Sequence, residues 1–197
     1  SLDEVDHGSI VMARPKYGRG DVRAREKLID AFWDLLEAEP YTQMSVREVC
    51  RESGLNKNTF YYHFESLDAL ADEAVASALP IELAQSLVSA PVGKLPSLQP
   101  IAGTPVVRGK FARVGLVLAG NGTALQGTLM SHFTEQLVEM VPCSSEEDRQ
   151  SKTLLLGFVA GGFVNTLRGK RPAEYADAVT GLQQLPAIRA CMDELRS

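Results

Sequence analysis

The chain has 197 residues, 45% of them hydrophobic and 23% charged, with a formal net charge of -5. That length suits one compact domain or a small domain plus a larger one, and the composition excludes a disordered chain. The negative charge argues against a generally basic protein that coats nucleic acid, but leaves room for a local basic surface, since charges act over about 10 Å at ordinary salt. Three scattered cysteines (Cys50, Cys143, Cys191), no CxxC and three histidines argue against a disulfide framework or a structural zinc site and fit a reducing cytoplasm. No metal or cofactor is expected. No apolar run approaches the roughly 18 residues of a membrane span, and the acidic start SLDEVDHGSIVMA lacks the pattern of a secretory signal.

Residues 1–13 read as a weakly structured leader, and the sequence leaves open whether the residues before Met12 are native. Residues 14–27 hold six basic residues (Arg14, Lys16, Arg19, Arg23, Arg25, Lys27) against Asp21 and Glu26, a local net of +4. Such a run is ordinarily a solvated tail or helix start. Beside a DNA-reading unit it is suited to phosphates or the minor groove. A helix is expected over 21–38, with Asp21 as cap, because Leu28, Ile29, Phe32, Leu35 and Leu36 share one face and Pro40 follows. Trp33 extends that face toward a second unit.

A second helix begins at Ser45, where the spacing to Glu48 is that of a capping box. Val46, Val49 and Cys50 point inward, Cys50 as a small core residue. Gly54 stops the helix, Leu55 plugs the turn and Asn56 caps a third, short helix over 57–64. On that helix Phe60 and Phe64 fall on one face, and Asn58, Tyr61 and Tyr62 on the opposite one, flanked by Thr59. Two tyrosines beside Lys, Asn and Thr suit DNA better than they suit a connector. Ser66 caps a fourth helix over 67–79, and Pro80 marks the boundary that follows it.

The remainder alternates helical stretches with proline. Helices are expected at 81–90, 106–118, 123–141, 144/145–168, 173–185 and 187–195, and 91–105 as a long loop with four prolines. No strand alternation appears, so the fold class is all-α. The stretch Leu154–Val164 is apolar nearly all round and should be buried on several sides. Gly157 and Gly161, four apart, suit either a dimer seam or tight packing within one subunit. Phe111, Leu116, Leu118, Met130, Phe133, Leu137 and Met140 can line a cavity or form plain core. His132 and Asn121 are candidate polar contacts there.

Residues 24–75 resemble the DNA-binding domain of TetR-family transcriptional regulators. The resemblance rests on Ser45-Val46-Arg47-Glu48-Val49-Cys50, on Gly54-Leu55-Asn56-Lys57-Asn58-Thr59-Phe60-Tyr61-Tyr62-His63-Phe64, and on Ser66 and Leu70. It covers about a quarter of the chain. It implies an N-terminal helix-turn-helix three-helix domain (21–66), preceded by a flexible basic arm (1–20) and joined to a larger helical effector-binding and dimerisation domain (67–197). It implies that Lys57, Asn58, Thr59 and Tyr61 face the major groove, that Tyr62 and His63 clamp the backbone, and that Thr42, Ser45 and Arg47 lie near phosphate. The chemistry agrees: Asn pairs with adenine, Lys with guanine, and Thr or Tyr carbon edges meet a thymine methyl.

The implied protein is a cytoplasmic homodimer that acts as a repressor on a double-stranded, pseudo-palindromic operator. An unknown small molecule, contacted by Phe111, Met130, Phe133 and Leu137, would release it. Leu67 and Glu65 stand where many members carry a base, so the basic arm is expected to supply the charge. Removing residues 1–20 should then weaken DNA binding and flatten its salt dependence. One alternative is a regulator of the same kind governed by a protein partner. The other is an all-α enzyme, against which stands the absence of any HExxH, phosphate-loop or serine–histidine motif.

Overall fold

The computed structural model describes residues 19–90, 94 and 96–196, and every described regular element is helical. The first four helices are α1 (Arg19–Ala38), α2 (Val46–Ser53), α3 (Lys57–His63) and α4 (Leu67–Ser77). Asp21 lies inside the first turn of α1 and not at its cap, the helix starting two residues earlier than expected. Leu28, Phe32, Leu36 and Ala31 are buried on the inner face of α1, which packs against α2 and α4. Phe60 and Phe64 close that core from α3, and Leu70, Ala71, Ala74 and Val75 close it from α4. Burying a Leu or Phe side chain contributes about 1.5–3 kcal/mol, so this inner face holds the three short helices that follow α1.

The body comprises α5 (Ile81–Val88), α6 (Gln99–Ala102), α7 (Pro105–Ala119), α8 (Gln126–Met140), α9 (Glu146–Leu167), α10 (Tyr175–Gln183) and α11 (Pro186–Arg196). The expected loop over 91–105 contains α6: Leu98 and Ala102 are buried four residues apart, and Pro100 sits in the first turn, where a missing N–H costs nothing. The stretch before α8 is a separate 3-10 turn at Thr123–Leu125. Ser145 caps α9 by accepting from the Asp148 backbone at 3.1 Å. The backbone N–H and hydroxyl of Ser144 donate to the Asp148 carboxylate at 2.7 and 3.0 Å, which hold that carboxyl below its ordinary range.

One correction concerns α9. It packs against α8, α10 and α11, yet Leu154 is 77% and Phe158 74% exposed. Within one chain it is therefore covered on one side only. Apart from the adjoining residues and backbone of α9 itself, a Cβ on Gly157 or Gly161 would meet no atom within 4 Å, so these glycines are not required by packing inside the subunit.

The four N-terminal helices are continuous with the body. One buried cluster runs from Leu28 through Phe60, Leu70, Phe111 and Leu129 to Val179. Trp33 is buried, and the Arg113 guanidinium of α7 lies 5.4 Å from its ring while pairing with Asp30 at 3.2 Å. The Asn121 side chain donates to the Leu36 and Glu37 carbonyls at 3.1 and 3.3 Å, and the Asn121 backbone carbonyl accepts from the Tyr41 N–H at 2.9 Å. Asn121 thus closes the orphaned end of α1. Beside it a Cβ on Gly122 would stand 2.9 Å from Val117 Cα, so only glycine lets the two backbones meet.

Candidate nucleic-acid interface

Local rules position the two helices of the site. Ser45 and Glu48 form a complete capping box: the Ser45 N–H donates to the Glu48 carboxylate at 2.9 Å, and the Glu48 N–H donates to Ser45 Oγ. The Ser45 hydroxyl also donates to Glu48 at 2.7 Å. Its only proton is committed there, so Ser45 holds the start of α2 and offers no free donor to a phosphate. Gly54 ends α2 at φ 68°, ψ 19°, a left-handed conformation that a side chain resists. The Asn56 side chain then caps α3, accepting from the Thr59 N–H at 2.9 Å and its hydroxyl at 3.2 Å.

The result is a short helix with two chemically distinct faces. Phe60 is fully buried, in edge contact with Tyr61 at a centroid distance of 5.3 Å. On the opposite side Lys57 and Asn58 are exposed, and Tyr61 and Tyr62 are 56% and 57% exposed. Thr59 is half-buried, with its hydroxyl engaged and its methyl left to make contacts. His63 is half-buried against the Tyr62 ring, centroids 4.9 Å apart. Its Nδ1 is shielded from solvent and without a hydrogen-bond partner, so any contact made by this imidazole passes through Nε2. Thr42 and Arg47 are exposed on either side of the α2 start. Cys50 is buried, which pushes its thiol up despite the nearby Lys57; it is core and not a reactive group.

Leu67 is half-buried against the main core, so apolar packing occupies the position where a base was looked for. The Tyr41 hydroxyl donates to Asp68 in the first turn of α4, and burial together with that carboxylate raises the phenol's pKa. Arg25, counted in the basic run, is tied into the structure: it pairs with Glu73 of α4, Nε to Oε1 at 2.6 Å, and covers the Phe64 ring at 5.2 Å. Arg23 and Lys27 are exposed. The rest of the expected arm, residues 1–18, lies outside the described residues.

The candidate ligand residues divide. A cavity of about 100 Å³ lies in the body, with walls from the end of α4 and from α5 and α7 to α11. Phe111, Phe133 and Leu137 line it. Met130 does not, because one step of about 100° along α8 turns it away from the face that carries Leu129. Leu116, Leu118 and Met140 are likewise absent from its walls. His132 pairs with Asp72 of α4 at 2.9 Å and lies 3.8 Å from Glu135. It and Asn121 are joints between elements, not cavity contacts. Sequence reasoning missed Leu83, Ala84, Leu156 and Val159, which share the walls. Their helical spacing is the same as that of solid core, so no signal in the sequence separates the two.

A capped short helix with a polar-aromatic outer face, joined to α2 by a tight glycine turn, is a helix-turn-helix arrangement. Residues 28–74 match the profile of bacterial regulatory proteins, tetR family. A stretch of 57 residues is 40% identical to an uncharacterized HTH-type transcriptional regulator from Haemophilus influenzae (strain ATCC 51907 / DSM 11121 / KW20 / Rd), and covers 28% of each chain. The similarity therefore spans little more than a quarter of that relative. A solved structure, the TetR family repressor AlkX from Dietzia sp. strain DQ12-45-1b, implicated in biodegradation of n-alkanes, overlaps 88% of this chain and 97% of its own at 16% identity and TM-score 0.44. That overlap is too loose to transfer any residue's role. The likeness to TetR-family regulators is thus carried by the N-terminal helices, residues 28–74, which include α2 and α3.

Proposed function

We propose that the protein is a cytoplasmic, homodimeric repressor that reads a pseudo-palindromic operator through residues 21–66 and is released when a small molecule binds within residues 67–197. The observation that carries this reading is the outer face of α3, where Lys57, Asn58, Tyr61 and Tyr62 are all exposed beside a fully buried Phe60. Asn58 and Lys57 are suited to adenine and guanine edges, and the Thr59 methyl and Tyr61 ring to a thymine methyl. The Tyr62 hydroxyl, His63 Nε2, Thr42 and Arg47 supply phosphate donors, which fix register and not sequence. Ser45 contributes by holding the N-terminus of α2.

The bare side of α9 supports a two-fold seam. Leu154 and Phe158 are four residues apart and exposed, and the open glycines between and beyond them allow a second helix to approach closely. Helix α4 supports the coupling. Its cap, Ser66, follows the recognition helix directly, and Leu79 and Pro80 beyond its other end are walls of the cavity. A ligand shifts the equilibrium only if it favours one position of that helix over another.

Sequencing DNA fragments selected from a random pool by the purified protein tests the reading. The expected product is a pair of inverted half-sites spaced by about one helical turn or a multiple, roughly 34 Å centre to centre. Recovery of unrelated sequences would overturn it.

A further inference from the structure

The cavity specifies the chemistry of what it can hold. Every side chain on its walls is apolar, from Leu83 and Ala84 on α5 through Phe111 and Leu129 to Leu156 and Val159 on α9. The charged pair flanking it, Glu82 and Lys110, sits one residue away from lining positions on α5 and α7, and its Nζ–Oε1 contact of 2.7 Å is made between the two side chains. Neither residue contributes to the walls. His132 and Asn121 are engaged elsewhere.

The cavity also lies at a seam. Leu83, Phe111 and Leu129 belong to the main core, Ala84, Leu137 and Leu156 to a second cluster built on α5, α8, α9 and α11, and Phe133 touches both. Two cores that meet imperfectly leave space, and its volume of about 100 Å³ approaches that of a benzene-binding cavity. An engineered cavity of about 150 Å³ lined by Leu, Ile and Phe stays dry and takes up benzene. Water gains little in such a place, having no polar partners, and a charged group loses its hydration with nothing to replace it.

We propose that the effector presents a small, uncharged hydrocarbon group, aryl or short alkyl, to this cavity, and that a carboxylate or ammonium of the same size is rejected. The proposal rests on the effector reading given above and narrows it to a ligand class.

Methyl-labelled full-length protein titrated with benzene, n-hexane and hexanoate provides the test, with operator affinity measured in parallel. Benzene or n-hexane should shift the methyl signals of Leu83, Leu129, Leu156 and Val159, and whichever binds identifies an aryl or an alkyl preference. Hexanoate should bind on the order of 100-fold more weakly than n-hexane. Val159→Phe should fill the space and abolish the shifts; Ala84→Val, a smaller filling, should weaken them if the larger change disturbs folding. Equal or tighter binding of hexanoate at the same methyls, or no response to either hydrocarbon, overturns the ligand class while leaving operator binding intact. Hydrocarbon binding that leaves operator affinity unchanged supports the ligand class and breaks the effector reading instead.

Discussion

Among the described residues, α3 and α9 both expose aromatic residues to solvent, but beside different neighbours. On α3, Tyr61 and Tyr62 stand among Lys57 and Asn58, so apolar ring and hydrogen-bonding group share one surface. On α9, Leu154 and Phe158 stand with glycines between and beyond them. The first face can distinguish one base edge from another because its donors have direction. The second has no directional group and gains only by excluding water, which suits an identical apolar face on a second copy. Exposure alone is therefore ambiguous; the residues one helical turn away decide what an exposed ring is for.

The contrast is sharpest between neighbours on α3. Phe60→Ala should cost about 3–5 kcal/mol of stability, since Phe60 is fully buried. Tyr61→Ala, one residue along, should stay within about 0.5 kcal/mol in denaturant unfolding while weakening DNA binding. Comparable destabilisation by both would mean that the outer face is structural. On α9, Phe158→Glu should weaken self-association by about 2 kcal/mol or more, read by sedimentation at several concentrations, with the helical spectrum unchanged. A protein that sediments as before would remove α9 from the interface.

Asn58→Ala should cost about 1–3 kcal/mol of discrimination at one base pair, measured against an operator set varied at that position, and should leave stability unchanged. A uniform loss over all sequences would make Asn58 a phosphate contact. The smallest effect concerns pH. Burial alone would raise the Glu82 carboxyl, but Lys110 and hydrogen bonding hold it below its ordinary value. A carboxyl depressed by folding stabilises above its unfolded pKa, and that contribution is lost as pH falls through the folded one. The pair is partly exposed, with side-chain exposures of 20% and 37%, so solvent screening limits it to at most about 1 kcal/mol. Lys110→Met should flatten unfolding free energy against pH below the ordinary glutamate range; an unchanged acid limb would assign the loss to other carboxylates.

What was legible in the sequence follows the range of the interactions involved. The cap at Ser45, the turn at Gly54, the cap at Asn56 and the two faces of α3 depend on residues within four positions of one another, and all appear where their spacing put them. The cap of α9 at Ser145 is equally local. The resemblance, not the spacing, implies that Ser45 lies near phosphate; the structure adds that its hydroxyl donates to Glu48.

The tertiary structure alone decided the rest. Asn121 and His132 have no local signature; they became joints because α1 ends beside one and α4 passes beside the other. Arg25, part of the basic run over 14–27, is tied to Glu73, 48 residues away. Met130 left the cavity while Leu129 entered it, since one residue of helix is enough to turn a side chain from one wall to another. A cavity is a failure of two packed surfaces to meet, and the sequence names the surfaces without saying how far apart they lie.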